Sequence, residues 1–268
     1  SIERLEEKIR LADEKAVCDI GFHYGTDGQN MDTFETAAAN PRVFGLKVYL
    51  NHTTGEMLIE DVSVLAEIFR AWPQGKPILV HAEGMQLAGA IALAELYGQR
   101  LHVCHISQAI EVELVRRAKK AGHDITAGVC PHHLFLTGAA RETHGSHAIM
   151  KPPLGEADDQ QALWQGLSDR TIDIVETDHA PHTAEEKQAD PAPYGVPGLE
   201  TAAGPKAIFN IPDQPDTFVE LDSTEAYTVA GPYQTKAGWT PFEGQTAYGK
   251  PWNVTIRGES VVRDGSVA

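Results

Sequence analysis

The chain has 268 residues, with 22 Lys and Arg against 38 Asp and Glu, a formal net charge of −16. That length suits one large domain, or a domain with a small appendage, and 42% hydrophobic residues support a sizeable core. The acidity describes a solvated exterior and offers no basic patch for nucleic acid. Cys18, Cys104 and Cys130 have no paired spacing, which argues against a disulfide framework and fits a reducing, cytoplasmic setting. No apolar run approaches the roughly 20 residues that cross a bilayer, so no membrane partner is expected.

Residues 1–15 have the pattern of a charged amphipathic helix, unlike a signal peptide. Short apolar runs at 18–24 and 43–50 read as strands. Residues 61–72 then read as a helix, with Val62, Leu65, Ile68 and Phe69 on one face. Strands are predicted at 77–80, 101–106, 124–129 and 171–177, and helices at 85–97, 109–121 and 158–167. The basic last turn of the 109–121 helix suits its dipole. Strands alternating with helices predict an α/β fold with a parallel sheet. Beyond about residue 210 the texture becomes short strands, at 217–221, 227–229, 254–257 and 260–262, split by Gly, Pro, Asn and Asp. The expected division is a barrel over 1–209 and a small β subdomain with a tail over 210–268.

The polar residues sit at regular places. Lys47 lies inside "F-G-L-K-V-Y-L", His81 follows "P-I-L-V", His105 lies in "L-H-V-C-H-I", and Asp178 follows "T-I-D-I-V-E-T". Each stands within or at the C-terminal end of a different strand, the face that carries the active site in a parallel α/β barrel. Two histidines and a carboxylate suit a borderline cation such as zinc. Burial is expected to lower the pKa of Lys47. A neutral amine can take up carbon dioxide and become a carbamate that bridges two metals. Such a pair activates a water and polarises a carbonyl, with Asp178 as general base. Singly, each residue has an ordinary explanation: a core or loop histidine, a snorkelling lysine, a helix N-cap at Asp178, packing at His132 and His133. The joint pattern favours the catalytic one.

"F-G-L-K-V-Y-L-N", "L-V-H-A-E", "V-C-H-I-S", "P-H-H-L-F-L-T", "K-P-P-L-G", "E-T-D-H-A-P-H-T-A-E-E-K" and "P-G-L-E-T" occur in this order. Together they resemble the dihydroorotases of the amidohydrolase superfamily, including the dihydroorotase domain of the multifunctional pyrimidine-synthesis protein. The resemblance covers most of residues 18–268. It implies a (β/α)8 TIM-type barrel with a small β subdomain, two zinc ions, and reversible cyclisation of N-carbamoyl-aspartate to dihydroorotate. Lys47 would be the carboxylated bridging lysine, with His81 and His105 on the second metal. Asp178 would bind the first metal and carry a proton to the leaving ring nitrogen. His182 would hold the substrate carboxylate, Thr53 or Thr54 would touch substrate from a flap, and Lys151, Pro197 and Gly198 would line the pocket. A homo-oligomer such as a dimer is implied, and an aspartate transcarbamoylase as assembly partner.

The chain also departs from this family. Its H-x-H-x-R motif, which binds the first metal and the substrate carboxylate, should stand farther before Lys47 than the 46 residues found here, and occurs nowhere. Six strand-like runs stand where a closed barrel has eight, and helices expected after "P-G-L-E-T" are absent. The expectation is that these residues are portions of a longer chain, a deletion being the alternative. Where the family often has a glutamate before "P-H-H", Gly128 stands, which argues against a third metal. Two other functions are carried: a catalytically inactive dihydroorotase-like assembly subunit, and a hydantoinase- or allantoinase-type amidohydrolase.

Overall fold

The structure is a computed structural model that describes residues 1–53, 55, 57–199, 216–222, 224 and 226–267. Its centre is a parallel sheet of β1 (Phe22–Gly25), β2 (Val43–Tyr49), β3 (Ile78–His81), β4 (Leu101–Val103), β5 (Ile125–Val129) and β6 (Ile174–Val175), lying side by side in chain order. Among the described residues β1 and β6 are the two edges of this sheet. Helix α1 (Ile2–Lys15) precedes the sheet, and α2 (Phe34–Ala39), α3 (Val62–Ala71), α4 (Met85–Tyr97), α5 (Ala109–Lys120), α6 (Pro131–Phe135), α7 (Ala140–His144) and α8 (Ala157–Ser168) connect its strands. Among the described residues no helix is long and apolar enough to cross a membrane.

The predicted helices and strands are present. Several are shorter, as at 101–106 and 171–177, while the helix read at 158–167 runs Ala157–Ser168 and the strands read at 254–257 and 260–262 run Lys250–Ile256 and Glu259–Arg263. The helices α2, α6 and α7 are additional. These three are only five or six residues long, too short to show a helical period in sequence. The main core lies between sheet and helices, where Leu46, Val48, Ile78, Val80, Leu101 and Val103 are almost completely buried. Phe34 of α2 meets Trp72 edge-on, with ring centroids 5.3 Å apart. Asp61 caps α3 by accepting from the Ser63 N–H at 2.7 Å.

The C-terminal part forms a four-stranded antiparallel sheet in the order β12-β11-β10-β7 and a two-stranded one, β8-β9. Its strands are β7 (Phe218–Asp222), β8 (Tyr227–Thr228), β9 (Thr246–Ala247), β10 (Lys250–Ile256), β11 (Glu259–Arg263) and β12 (Ser266–Val267). The expected boundary at residues 209 and 210 lies outside the described residues. The segment between β8 and β9 turns back towards the parallel sheet. Its Trp239 and Phe242 form a second core with Leu136, Met150, Leu154 and Val196.

One buried carboxylate ties the strand exits together. Glu111 of α5 accepts from the N–H groups of Gly84 at 3.0 Å and of Ser107 and Gln108 at 3.1 Å, fixing the turns that follow β3 and β4. Glu111→Ala leaves three N–H groups without their charged acceptor and is expected to lower unfolding stability by about 3 kcal/mol. A denaturant titration measures this, and an unchanged midpoint would contradict it.

Candidate active site

His81 ends β3, and His105 follows β4 by two residues. The two rings meet edge-on, with Nδ1 of His81 3.1 Å from Nε2 of His105. Both side chains are buried. Among the described residues, Nε2 of His81 and Nδ1 of His105 have no hydrogen-bond partner. Burial, then the charges of Lys47 and Lys151, pushes His81 down to about 3. Burial and the same Lys47 charge hold His105 well below the usual histidine range. Both rings are therefore neutral at neutral pH, the state in which imidazole binds a metal. Two buried neutral imidazoles whose Nδ1 and Nε2 converge to 3.1 Å fit a shared cation between those two nitrogens.

Two backbone angles set this geometry. His105 and Asp178 have φ of 39° and 41°, the left-handed region that β-carbon-bearing residues rarely occupy. The predicted strand 101–106 accordingly stops at Val103. Asp178 lies three residues beyond β6 and is open to solvent. The protein packed around it still raises its carboxyl to about 6, with Glu176 adding to the shift and Lys47 opposing it.

Lys47 is half-buried on β2, with Nζ 5.2 Å from the centroid of the Tyr49 ring. Burial does act to lower its pKa, as the sequence suggested. The neighbouring Cys104 sulfur, Tyr49 and Glu176 outweigh burial, and the net shift is upward. In the metal-free chain Lys47 is thus a charged ammonium. The expectation of a neutral amine fails because the sequence did not reveal the Cys104 sulfur, the Tyr49 hydroxyl and the Glu176 carboxylate around it.

The carboxylate in this group is Glu176, one residue after β6. It accepts from the backbone N–H of His105 and brings Oε2 to 3.7 Å from Nε2 of His102. Burial acts to raise its pKa, but His102, the His105 N–H and Lys47 together hold it below the ordinary carboxylate value. His102, Cys104 and Glu176 bring their ligand atoms within 4.8 Å of one another, as do Cys130, His132 and His133. Burial raises the Cys104 thiol to about 12 and the Cys130 thiol well above its usual value. Gly128 does not empty this region of carboxylate, because the Glu176 side chain fills the space beside it. The one signal for Glu176 in the sequence was a charged residue at the end of the apolar run preceding Asp178.

The remaining predicted residues form a rim. His179 Nδ1 accepts from the Gly198 N–H at 3.0 Å, so Pro197 and Gly198, both buried, are held against the exit of β6. Nε2 of His182 lies 3.0 Å from the Tyr194 carbonyl, and its Nδ1 is 3.6 Å from Glu186. Its own carbonyl accepts from the Trp239 indole at 2.9 Å. The ring is already engaged by protein on both nitrogens. Lys151 sits 5.6 Å from the centroid of the Tyr194 ring. Asn51 accepts from the Glu83 N–H at 2.7 Å, tying the turn after β2 to the turn after β3. Thr53 is partly exposed in that turn, and Thr54 lies outside the described residues.

No family model matches the chain. Individual relatives do. The chain is 36% identical over 284 residues to the multifunctional protein CAD of Squalus acanthias, covering 96% of this chain and 12% of that protein. It is also 36% identical over 223 residues to the dihydroorotase of Pelotomaculum thermopropionicum, covering 70% of this chain and 52% of that protein. The chain is a relative of the dihydroorotases. It spans about half the length of those single-function relatives, and only a small part of the multifunctional ones. Among solved structures, the inactive dihydroorotase-like domain of the Chaetomium thermophilum CAD-like multifunctional protein matches with a TM-score of 0.78 at 25% identity, covering 98% of this chain and 80% of that one. A D-hydantoinase matches with a TM-score of 0.84 at 21% identity, covering 99% and 74%. The fold is therefore that of the amidohydrolase barrels.

The rim depends on one further buried charge. Lys187 is completely buried and donates to the carbonyls of Ile149 at 3.0 Å, Pro193 at 2.7 Å and Gly195 at 3.1 Å. Lys187→Met strands these acceptors, and a loss of about 3 kcal/mol is expected in a denaturant titration. A midpoint equal to that of the unmodified protein would show that the three bonds contribute nothing.

Proposed function

We propose that this chain carries the zinc site of a dihydroorotase, opening dihydroorotate and closing N-carbamoyl-aspartate in pyrimidine synthesis. The observation that carries this is the pair of neutral imidazoles, His81 and His105, whose facing nitrogens converge to 3.1 Å at the exits of adjacent parallel strands. The dihydroorotase relatives support the substrate class. His81 and His105 would hold one zinc, Asp178 a second, and Lys47, once carboxylated, would bridge them. Bound there, zinc would supply Lewis acidity, making a water nucleophilic near neutral pH and polarising a carbonyl.

The chain's own residues do the rest. Asp178, whose carboxyl stands near 6, takes a proton as a general base at neutral pH and returns it to the departing ring nitrogen. Lys151 contributes positive charge on the side of His81, where its field already acts. Pro197 and Gly198 form the wall that His179 fixes, and Thr53 or Thr54, with His182, would contact substrate. Contact by His182 Nε2 requires it to leave the Tyr194 carbonyl. The multifunctional relatives support a setting within a larger multifunctional protein; an aspartate transcarbamoylase as partner and a pairing of barrels rest on the sequence resemblance alone.

A second reading is favoured by the solved inactive dihydroorotase-like domain, which this chain overlays over most of its length. In that reading the fold serves assembly and turns over nothing. Ring opening of dihydroorotate, followed by the loss of its ultraviolet absorbance, separates the two. The catalytic reading expects turnover that Asp178→Ala reduces about 10²–10⁴-fold, the usual worth of a positioned base, and that Lys47→Ala abolishes. Undiminished turnover in either variant would sink the mechanism, and zinc binding without any turnover would favour assembly.

The pH dependence follows from Asp178. Its carboxyl is held above the ordinary value, so it is protonated below about 6 and is then no ligand. Zinc affinity should hold steady above that pH and fall as pH drops through it. Competition with a chromophoric chelator across the range measures this. An affinity that is flat through pH 6 would remove Asp178 from the ligand set.

A further inference from the structure

Glu176 makes a contact that its strand position does not predict. The parallel ladder runs from β4 to β5 to β6, and the backbone N–H of Glu176 donates to the Val129 carbonyl on β5 at 2.9 Å. Its side chain does not stop at that neighbour. It passes over β5 and accepts from the backbone N–H of His105, beyond β4. The crossing point is Gly128. A β-carbon there would lie 2.5 Å from Cδ of Glu176, inside the space its carboxylate occupies. Gly128 does not have a positive φ, so the position requires glycine for room rather than for backbone freedom.

His105 is the residue that needs such a partner. The N–H groups on either side of it stay in the ladder, Cys104 to the Val80 carbonyl at 3.1 Å and Ile106 to the Gly128 carbonyl at 2.8 Å. The positive φ of His105 accompanies an N–H bonded to a carboxylate instead of to a strand. A buried N–H without that acceptor would be costly. We infer that Glu176 is a positioning residue, a carboxylate strut lodged over Gly128 that holds His105 in its left-handed conformation and so aims the imidazole at its place beside His81. Its link to a bound cation rests on the function proposed above; its link to the His105 backbone does not.

Room at Gly128 also makes the strut movable. A carboxylate grown from β5 itself, one carbon beyond a β-carbon at 128, ends in the space Glu176 now fills. The double variant Gly128→Asp with Glu176→Ala therefore moves the charge from one strand to the next and keeps it under the His105 N–H.

Two readouts test this on the purified protein. One is hydrogen exchange of the His105 amide in the metal-free state, by nuclear magnetic resonance. The other is zinc affinity by chelator competition. Glu176→Ala is expected to speed exchange about 10- to 100-fold, the worth of a hydrogen bond to a charged group, and to weaken zinc about 10- to 100-fold, the usual effect of removing an outer-shell partner. Glu176→Gln, which keeps a neutral acceptor, should lose less on both. The double variant should recover most of both losses. Gly128→Asp alone, with two carboxylates in one space, should be worse than either parent. A double variant no better than Glu176→Ala, or a Glu176→Ala protein with unchanged His105 exchange, overturns the assignment. If zinc binds to none of the proteins while the exchange pattern is as expected, the metal site fails and the strut stands.

Discussion

Polar groups inside a parallel sheet must find partners in one another, because the apolar side chains around them offer none. Lys47, His102, Cys104 and Glu176 share one such interior, contributed by β2, β4 and the exit of β6. Each alters the others. Cys104, Tyr49 and Glu176 together keep Lys47 protonated, while His102, the His105 N–H and Lys47 keep Glu176 ionised, both against the pull of burial. The same Lys47 charge helps to keep His81 and His105 neutral. The metal-ligating state of the histidines is thus partly set by the lysine that would later share their cation.

This arrangement also explains why the strand exits are strained. A residue that continues a strand presents its N–H to the ladder and its side chain to one face. His105 and Asp178 leave that pattern through left-handed turns, and each is held there by structure contributed from elsewhere in the chain. For His105 the support includes Glu176, and Glu111 fixes the turn just beyond it. The wall beyond Asp178 is the 196–199 segment, pinned by His179 and backed by Trp239 from the C-terminal part. The rim and the second core are therefore one unit, and the tail segment around Trp239 contributes to the rim at the strand exits.

Much of this was legible in the sequence, for a physical reason. Doubly buried parallel strands read as apolar runs, so a lysine or histidine at their ends stands out, as Lys47, His81 and His105 did. The amphipathic helices were legible from their period, and "D-H-A-P-H" marked the exit of β6. Other features were not legible because they depend on contacts between strands distant in sequence. Glu176 reaches residue 105, and the room it uses is an absent side chain at residue 128. A lone glutamate and a lone glycine carry no local sign of being one device. The pKa of Lys47 was misjudged for the same reason: burial can be guessed from a strand pattern, but the sulfur, phenol and carboxylate around the amine cannot. The short helix α6, which carries His132 and His133, had no period to announce it.

The central claim is that the cation sits on imidazole nitrogen and carboxylate oxygen at the strand exits, and not on either buried cysteine. X-ray absorption at the zinc edge of the zinc-loaded protein tests this most directly. The account predicts a shell of nitrogen and oxygen at about 2.0–2.1 Å with no sulfur, together with a zinc–zinc vector of about 3.5–4 Å if both ions are held. A sulfur shell at about 2.3 Å would place the ion among His102, Cys104 and Glu176, or among Cys130, His132 and His133, and would contradict the account.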